Sequence, residues 1–584
     1  MAVLVPIPAR PRARGTACPC GTLIEMLAYR AAVQPDERAY TFLENGEEAS
    51  ATLTWRELER KSRAIAALMQ TRLSPGERAI LFYPPGLDFV AAFFGCVAAG
   101  VIAVPVQPPQ GRHAEGREER LRAIMADAGA RVTLTSGALP ERHWRDVPLS
   151  EPADGTARDN WILTDDIPDG RAAEWRDPRV AAGATAFLQY TSGSTTRPRG
   201  VMVSHGNVMH NLAAAFQLGE TTSDTVSVSW LPPTHDMGLI EGLLQPAFSG
   251  CPAYLMSPGA FLQRPVRWLR AISRYGATRS GGPNFAYDLA VDRIAPADRA
   301  TLDLRTWTAA YNGAEPVRED TLERFAAAFE PAGFSRTAFR PSYGLAESTL
   351  LVATRRWQPG AAVDGVVSCG TPPPGTRVAI VDPVTDRTCA DGEIGEIRVA
   401  GPGVAQGYWN HPDETMRTFG SRVEGTTSPW LRTGDLGFSR DGDLHVTGRM
   451  KDLLIVRGVK HFPQDLERTA ERVHPAVRPG AVVAVAVSTT ARGDHVVLIA
   501  EIDLRRLEAE STWPLIAAMR QAVATVHGIQ LHGVALVRPR TVPKTPSGKL
   551  RRFLCGEAWL AGSLDVIALW RDPGSARPAP GRLD

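Results

Sequence analysis

The sequence has few cysteines, and they are scattered. Its 584 residues include 7 cysteines, an odd number, with no CxxC pair and no histidines beside them. A structural zinc site needs such spacing, so none is expected. Scattered thiols without an obvious pairing fit a reduced, cytoplasmic interior better than an oxidising compartment.

The sequence also lacks an excess of charge of either sign. It carries 65 basic and 63 acidic side chains, a net charge of +2 at pH 7. This balance gives no general affinity for nucleic acid, and we expect none as a partner. Any anion must therefore be bound by a local site.

No stretch has the order of a secretory signal or the character of a membrane span. Near the start the arginines follow the apolar residues instead of preceding them, so we expect a loose tail over residues 1–21. Residues 89–106 are apolar, but Gly100 divides them, which predicts a buried helix, a glycine stop and a buried strand. We expect no transmembrane segment and a cytoplasmic protein.

The remaining pattern is that of an α/β protein long enough for several domains. Apolar strand-like runs alternate with helical stretches up to about residue 353, which predicts a layered α/β body. Shorter strands with DG and DP turns follow, and then a compact α/β segment. We predict a tail over residues 1–21, an N-terminal domain over 22–450, a small α+β domain over 451–560, and a flexible Pro/Gly-rich tail over 561–584.

The most informative segment is TSGSTTRPRG, residues 191–200. It joins two apolar runs and is packed with hydroxyls and glycines, so its backbone N–H and side-chain O–H groups could surround one anion such as a triphosphate. It is not a Walker loop, because the GKS or GKT that opens a helix is missing. Taken alone, it would more readily be read as an ordinary Ser/Thr-rich surface turn.

Other motifs accompany it: PSYGLAES (341–348), LRTGDLG (431–437), GRMKD (448–452) and PKTPSGK (543–549). Together and in this order they resemble the signatures of adenylate-forming enzymes, the superfamily of acyl-CoA synthetases, peptide-synthetase adenylation domains and luciferases. The resemblance implies a large N-terminal domain of several subdomains that binds ATP and acid. It also implies a small C-terminal domain that moves between two orientations.

Further segments are similar to those of fatty acyl-AMP ligases, among them SWLPPTHDMGLI (229–240), SGGPNFAY (280–287), YNGAEP (311–316) and RGVKHFPQD (457–465). The likeness runs from about residue 22 to 552. It implies that ATP activates a fatty acid as acyl-adenylate and that an acyl carrier protein accepts the acyl group on its phosphopantetheine thiol. The alternatives are a fatty acyl-CoA ligase and a non-catalytic module that binds acyl groups or nucleotides.

The resemblance also implies which residues hold the nucleotide. Tyr343 would cover the adenine face, with a packed core tyrosine as the alternative. Asp435 would accept hydrogen bonds from the ribose hydroxyls, with a turn aspartate as the alternative, and Arg449 would support the nucleotide beside it. The whole set is Thr191, Ser192, Gly193, Ser194, Thr195, Arg199, Asn312, Gly313, Ala314, Ser342, Tyr343, Gly344, Asp435 and Arg449.

A second set would act on the metal and the acid. Glu347, one helical turn beyond Tyr343, would hold Mg²⁺ together with Thr191, because a hard cation prefers oxygen ligands; its alternative is a solvated helix charge. Lys549 would touch both the attacking carboxylate and the α-phosphate, with a surface lysine as the alternative. His235 would line the acyl side or serve as a structural histidine, and Lys451 is the hinge position.

Three departures from the family pattern affect function. Thr196 stands where the phosphate loop usually has glycine, and Arg199 where it usually has lysine, so we expect altered ATP affinity with retained activity. The insertion that usually follows YGLAE is shortened to residues 351–366. Because that insertion is credited with hindering CoA transfer, some CoA ligation is physically plausible.

Overall fold

The structure is a computed structural model that describes residues 16–108, 114–140, 160–190, 198–456, 459–488, 494–507, 512–544 and 549–572. The chain forms two compact units. The first comprises Met1–Thr433 with Gly437–Val446, and the second Gly434–Leu436 with Thr447–Asp584. The contacts thus divide the chain at residues 446–447, whereas the sequence placed the change at 450–451.

The first unit is built on two large sheets, as the α/β pattern predicts. Within the described residues, one has six strands and is parallel apart from its last pair. The strands at its centre are apolar and buried, as expected for a parallel sheet covered on both faces. In spatial order its strands are Trp161–Leu163, Val132–Thr135, Arg78–Phe82, Ile102–Val106, Thr185–Tyr190 and Gly200–Ser204.

The other large sheet has eight strands in the described part of the chain. Its core contains a cluster of rings in which Trp268 and Tyr287 both contact Trp307. In spatial order its strands are Leu351–Thr354, Phe339–Gly344, Ala309–Asn312, Arg279–Gly281, Ser227–Ser229, Ala253–Leu255, Arg38–Glu44 and Glu48–Thr54. The β-rich stretch predicted after residue 353 forms a separate sheet of the strands Arg377–Val381, Gly395–Ala400, Leu431–Arg440 and Asp443–Arg449.

The helices of the first unit begin at clear local signals. The side chains of Thr22, Thr54 and Ser204 each accept a hydrogen bond from the backbone N–H three residues on, and the side chain of that later residue accepts one from the backbone N–H of the cap. The α-helices are Leu23–Val33, Trp55–Gln70, Leu87–Ala99, Ala114–Ala128, His205–Leu218, Gln245–Ser249, Pro258–Gln263, Val266–Tyr275, Asn284–Arg293, Pro296–Arg299, Glu319–Phe329 and Pro412–Phe419. A π-helix covers Met237–Leu244, and 3₁₀ turns cover Asp169–Glu174, Glu330–Ala332, Arg336–Ala338 and Ala346–Ser348.

The apolar stretch at residues 89–106 has the predicted form. Leu87–Ala99 is a buried helix of 13 residues, Gly100 ends it at φ 74°, and Ile102–Val106 is a buried strand. A left-handed residue at this position favours glycine, which explains the stop. In the part of the chain that the structure describes, no helix is long and apolar enough to span a membrane.

The second unit has its own sheet and core. In the described residues, the strands Val477–Ser488, Asp494–Ile502, Gly533–Val537 and Val566–Arg571 lie side by side in that order. The helices Pro463–Glu471, Thr512–His527 and Arg552–Ala561 pack with them, and Leu454–Val456 pairs with Val459–His461. The 3₁₀ turns Met450–Asp452 and Leu504–Arg506 complete the unit.

Both predicted tails are wrong in part. Val566–Arg571 is a strand paired with Gly533–Val537. Its side chains pack against two apolar cores of the second unit, which stabilises the pairing. Near the start, the Thr16 carbonyl accepts a hydrogen bond from Arg30, and Cys18 is buried. Cys18 forms a disulfide with Cys20, which differs from the expectation of reduced thiols throughout.

Candidate functional site

The predicted phosphate loop lies between the two strands of a hairpin in the first unit. Thr185–Tyr190 pairs antiparallel with Gly200–Ser204, and Tyr190 lies opposite Gly200. A Cβ on Gly200 would lie 2.9 Å from the Tyr190 ring, so glycine allows this close pairing. The loop residues Thr191, Ser192, Gly193, Ser194, Thr195 and Thr196 lie outside the described part of the chain.

Arg199, the last loop residue predicted to contact phosphate, is described and half-buried. Its guanidinium forms an ion pair with Glu414 and lies 5.0 Å from the centre of the Tyr408 ring. Arg199 stands where the family usually has lysine, and its positive charge is partly compensated by Glu414. The Glu414 pair and the Tyr408 contact were not predicted from the sequence, because residues far apart in the chain give no local signal.

Glu347 lies close to this cluster. The Tyr408 hydroxyl donates a 2.8 Å hydrogen bond to the Glu347 carboxylate. The predicted helical turn between Tyr343 and Glu347 is wrong: Tyr343 belongs to the strand Phe339–Gly344, and Glu347 to a 3₁₀ turn over Ala346–Ser348. Gly344 permits this change of direction, because a Cβ there would meet the Leu350 carbonyl oxygen at 1.8 Å.

The two predicted nucleotide segments lie next to each other. Asn312 pairs in parallel with Pro341, and Gly313 lies so close to Ser342 that a Cβ would be 2.6 Å from the Ser342 carbonyl oxygen. Ala314 follows with φ 72°. Tyr343 is only 7% exposed and packs in the main core of the first unit, as the alternative of a core tyrosine describes. Its role at the adenine stays a prediction.

Asn312 is fully buried and held by a residue that sequence reasoning missed. Its amide donates to the Asn284 side-chain oxygen at 3.1 Å, and Asn284 also accepts from the Arg318 backbone and donates to the Pro316 carbonyl. The Asn312 side-chain oxygen accepts no hydrogen bond from any described residue. A buried acceptor without a donor is costly, so a ligand donor at this position would be favoured. Asn284 lies in SGGPNFAY, one of the segments that carried the resemblance.

His235 lies beside an apolar pocket without lining it. Its Nδ1 is 2.6 Å from an Asp236 carboxylate oxygen, which caps the π-helix Met237–Leu244. The pocket holds about 20 Å³ of free space, so an acyl chain enters only if side chains move. Its lining comes from Phe42, Pro85, Gly86, Phe89, Val90, Ser229, Leu231, Pro233, Gly238, Leu243, Leu255, Met256 and Pro258.

In the second unit, Asp435 and Arg449 form an ion pair. Asp435 is only 5% exposed and lies within the strand Leu431–Arg440, so the alternative of a turn aspartate is wrong. The Arg449 Nε lies 3.0 Å from its carboxylate, and this pair restrains the carboxylate. Lys451, the predicted hinge, is exposed in the turn Met450–Asp452.

Lys549 is half-buried in a segment that the second unit holds at both ends. Leu550, the next residue, forms a β-bridge with Lys544, and the Arg551 N–H donates to the Pro543 carbonyl. Residues 545–548 between them lie outside the described ranges. Arg552 then starts a helix and pairs with Glu467. The geometry therefore fixes the base of the loop that carries the predicted catalytic lysine.

Comparison with known families accounts for both units. Residues 27–409 match the family described as AMP-binding enzyme, which is more than half of the chain. The chain belongs to this family. In this AMP-binding enzyme, residues 451–569 also match the family described as Disco-interacting protein 2-like, AMP domain.

Relatives that match over nearly their whole length indicate which kind of AMP-binding enzyme this is. It is 42% identical to the medium-chain-fatty-acid–[acyl-carrier-protein] ligase JamA of Moorena producens, over 93% of this chain and 96% of that protein. It is 38% identical to FadD21 of Mycobacterium tuberculosis, provisionally named a fatty-acid–CoA ligase, over 92% and 98%. It is therefore an adenylate-forming ligase with the α/β fold of that superfamily.

A solved structure gives the same result. The fatty acyl-adenylate ligase from L. pneumophila, in complex with acyl adenylate and pyrophosphate, has a TM-score of 0.71 and 36% identity, covering 95% of this chain and 98% of that one. The sequence resemblance to fatty acyl-AMP ligases is thereby confirmed. The roles of the individual site residues remain predictions.

Proposed function

We propose that this enzyme activates a medium- or long-chain fatty acid with ATP and passes the acyl group to an acyl carrier protein. The observation that carries the proposal is the 42% identity to JamA across nearly the whole of both chains. The apolar pocket that the SWLPPTHDMGLI motif helps to line supports an acyl substrate, because Ser229 brings the one polar side chain of its lining.

In the first step, a carboxylate oxygen of the acid attacks the α-phosphorus of ATP in line with the leaving group. A C–O–P bond forms, the bond between the α-phosphorus and the bridging oxygen breaks, and pyrophosphate leaves with the electron pair. The protein contributes position and charge. Lys549 would place its ammonium near the carboxylate and the α-phosphate, where negative charge accumulates.

The residues around Glu347 fit Mg²⁺. Tyr408 occupies one carboxylate oxygen of Glu347, and no described arginine or lysine forms an ion pair with this half-buried group. Such a carboxylate, together with the Thr191 hydroxyl, offers the oxygen donors that a hard cation prefers. When bound, the cation would neutralise charge on the phosphate oxygens.

In the second step, a thiol attacks the acyl carbonyl, a thioester forms and AMP leaves. We infer the phosphopantetheine thiol of a carrier protein as the acceptor, supported by the likeness to JamA. The provisional name of FadD21 and the short segment at residues 351–366 favour CoA as the second candidate. We place the carrier protein before CoA because the identity to JamA is higher than the identity to FadD21.

Pyrophosphate exchange into ATP tests the proposal. Purified full-length protein with Mg·ATP should exchange labelled pyrophosphate in the presence of medium- or long-chain fatty acids, and short polar acids in the same panel serve as controls. Folded protein that exchanges nothing with any acid would leave the non-catalytic binding module as the better description.

A further inference from the structure

Tyr408 joins the two motifs that the sequence assigns to the phosphates and to the metal. Its backbone forms a β-bridge with Val201, on the strand that leaves the phosphate loop. On either side, the Met202 N–H donates to the Gly407 carbonyl and the Trp409 N–H donates to the Gly200 carbonyl. The ring is therefore fixed relative to the end of the loop by backbone hydrogen bonds.

The Tyr408 hydroxyl reaches Glu347 from this position. It donates to one carboxylate oxygen at 2.8 Å, and the Ala405 N–H donates to the Glu347 backbone carbonyl, so the same segment holds Glu347 twice. The hydroxyl occupies one carboxylate oxygen, and no described residue donates a hydrogen bond to the second, which is left for another partner.

The face of the same ring meets Arg199. The guanidinium lies 5.0 Å from the ring centre, and the Glu414 carboxylate pairs with it. A cation over a tyrosine face is attracted by the ring electrons, and partial burial strengthens this contact. Tyr408 is only 4% exposed, so it contacts the loop arginine and the Glu347 carboxylate at once without competition from bulk water.

We propose that Tyr408 is a positioning residue for the metal and phosphate end of the site. Its hydroxyl orients the Glu347 carboxylate so that one oxygen faces the cation bound with ATP, and its ring holds Arg199 at the end of the phosphate loop. The proposal deepens the function proposed above and rests on it. It explains why this buried phenol donates to a carboxylate that has no ion-pair partner among the described residues.

The test compares Tyr408→Phe with Tyr83→Phe in the full-length protein. Each change removes one buried phenol hydroxyl, and Tyr83 binds Thr164 with its hydroxyl at 2.9 Å. Mn²⁺ serves as the probe: protein is titrated with Mn·ATP and no acid, and the Mn²⁺ retained with the protein on ultrafiltration is measured by electron paramagnetic resonance. The Mg²⁺ dependence of pyrophosphate exchange is measured in parallel, and thermal midpoints establish that each variant is folded.

We expect Tyr408→Phe to weaken Mn·ATP retention and to raise the Mg²⁺ concentration for half-maximal exchange, each by roughly 10–100-fold, the usual effect of removing a partner of a metal ligand. Tyr83→Phe should match the wild type in both. Equal metal dependence of the two variants, in a wild type that exchanges pyrophosphate, would overturn the role of Tyr408. Absence of exchange in the wild type would instead overturn the proposed function, while the Mn²⁺ titration still reports on Tyr408.

A double-mutant comparison tests the second half of the proposal. If the ring holds Arg199, Tyr408→Leu combined with Arg199→Ala should raise the KM for ATP by less than the product of the single effects, because each change breaks the same contact. Independent, multiplying effects would show that ring and guanidinium act separately and would overturn this part.

Discussion

Arg552 donates two hydrogen bonds of 2.7 Å to the Glu467 carboxylate, one from Nε and one from Nη2. Glu467 is only 1% exposed and also accepts from the Ala484 N–H. A third nitrogen of Arg552 reaches Asp452, the residue after the predicted hinge. Arg552 thus connects the segment that follows Lys549, and Asp452 beside Lys451, to one buried carboxylate in the second unit.

We predict that Arg552→Met destabilises the second unit by about 3–5 kcal/mol, because the buried Glu467 charge loses its partner. Adding Glu467→Leu should recover most of the loss, since no buried charge then remains. Urea unfolding of the full-length protein measures both. Arg505→Met is the matched control: that arginine pairs with Asp503 at an exposed position, where water screens the pair, so its loss should lower the stability far less than the loss of Arg552. Equal losses at the two arginines would contradict the argument.

Asn284 offers a test of the nucleotide segment. Asn284→Ala removes the acceptor of the Asn312 amide and leaves it buried, which should cost about 1–3 kcal/mol of stability. Because Asn312 is then free to turn, we expect the KM for ATP to rise more than the KM for the fatty acid. Steady-state kinetics with each substrate varied in turn checks this, and a shift shared equally by both would point to a purely structural role.

A buried histidine predicts how stability depends on pH. Burial lowers the pKa of His205 from 6.5 to about 4, with Glu25 opposing, and its Nδ1 accepts the Leu23 N–H at 3.2 Å. The unfolded chain therefore binds a proton at His205 more readily than the folded chain does. The contribution of His205 to the free energy of unfolding is thus fully present above pH 6.5 and is lost as the pH falls towards 4. The total is on the order of 3 kcal/mol.

His205→Asn should flatten this decline, because asparagine keeps an acceptor for Leu23 and has no proton to gain. Urea unfolding between pH 4 and 7.5 measures it, with His474→Asn as control: His474 also accepts a backbone N–H, from Ala476, but is half-exposed. An unchanged pH dependence in His205→Asn would contradict the assignment.

The sequence predicted those parts of the fold that local chemistry decides. The helix, glycine stop and strand at residues 87–106 follow from apolar runs and from a glycine at φ 74°. Val566–Arg571 was missed, because a short run near a Pro/Gly-rich end becomes a strand only through pairing with Gly533–Val537. The 3₁₀ turn at Glu347 was missed for a similar reason, since its path is set by contacts around Gly344.

The candidate site, like the fold, could be predicted only in part from the sequence. Motifs in one stretch of chain could be recognised, whereas Tyr408 and Asn284 act through side chains distant in sequence, and no periodicity indicates such pairs. The contacts of Arg199 likewise depend on Glu414, more than 200 residues away. Partners of the predicted residues therefore had to come from the structure.

Lys549 should separate the two half-reactions. Lys549→Ala should lower adenylation by about 10²–10³-fold, the scale of one preorganised electrostatic contact. Transfer from ready-made acyl-AMP to a thiol should fall far less, because the family resemblance implies that the small domain has turned away by then. Lys61→Ala, at an exposed position on the helix Trp55–Gln70, is the control and should change neither. Equal loss of both half-reactions would contradict a moving lysine.

The last prediction concerns the acceptor thiol. Group-specific segments such as RGVKHFPQD and the likeness to JamA favour a carrier protein. The segment after YGLAE, residues 351–366, is short, and a short segment should hinder rotation of the small domain less. Rotation alone, however, supplies no pocket for the nucleotide part of CoA. We therefore expect efficient transfer to phosphopantetheinylated carrier protein, with CoA a poor substitute.

Both thiols are offered at matched concentration and each thioester is followed by mass spectrometry, with carrier lacking the phosphopantetheine as control. Efficient acyl-CoA formation without transfer to any carrier would reverse the order of the two acceptors.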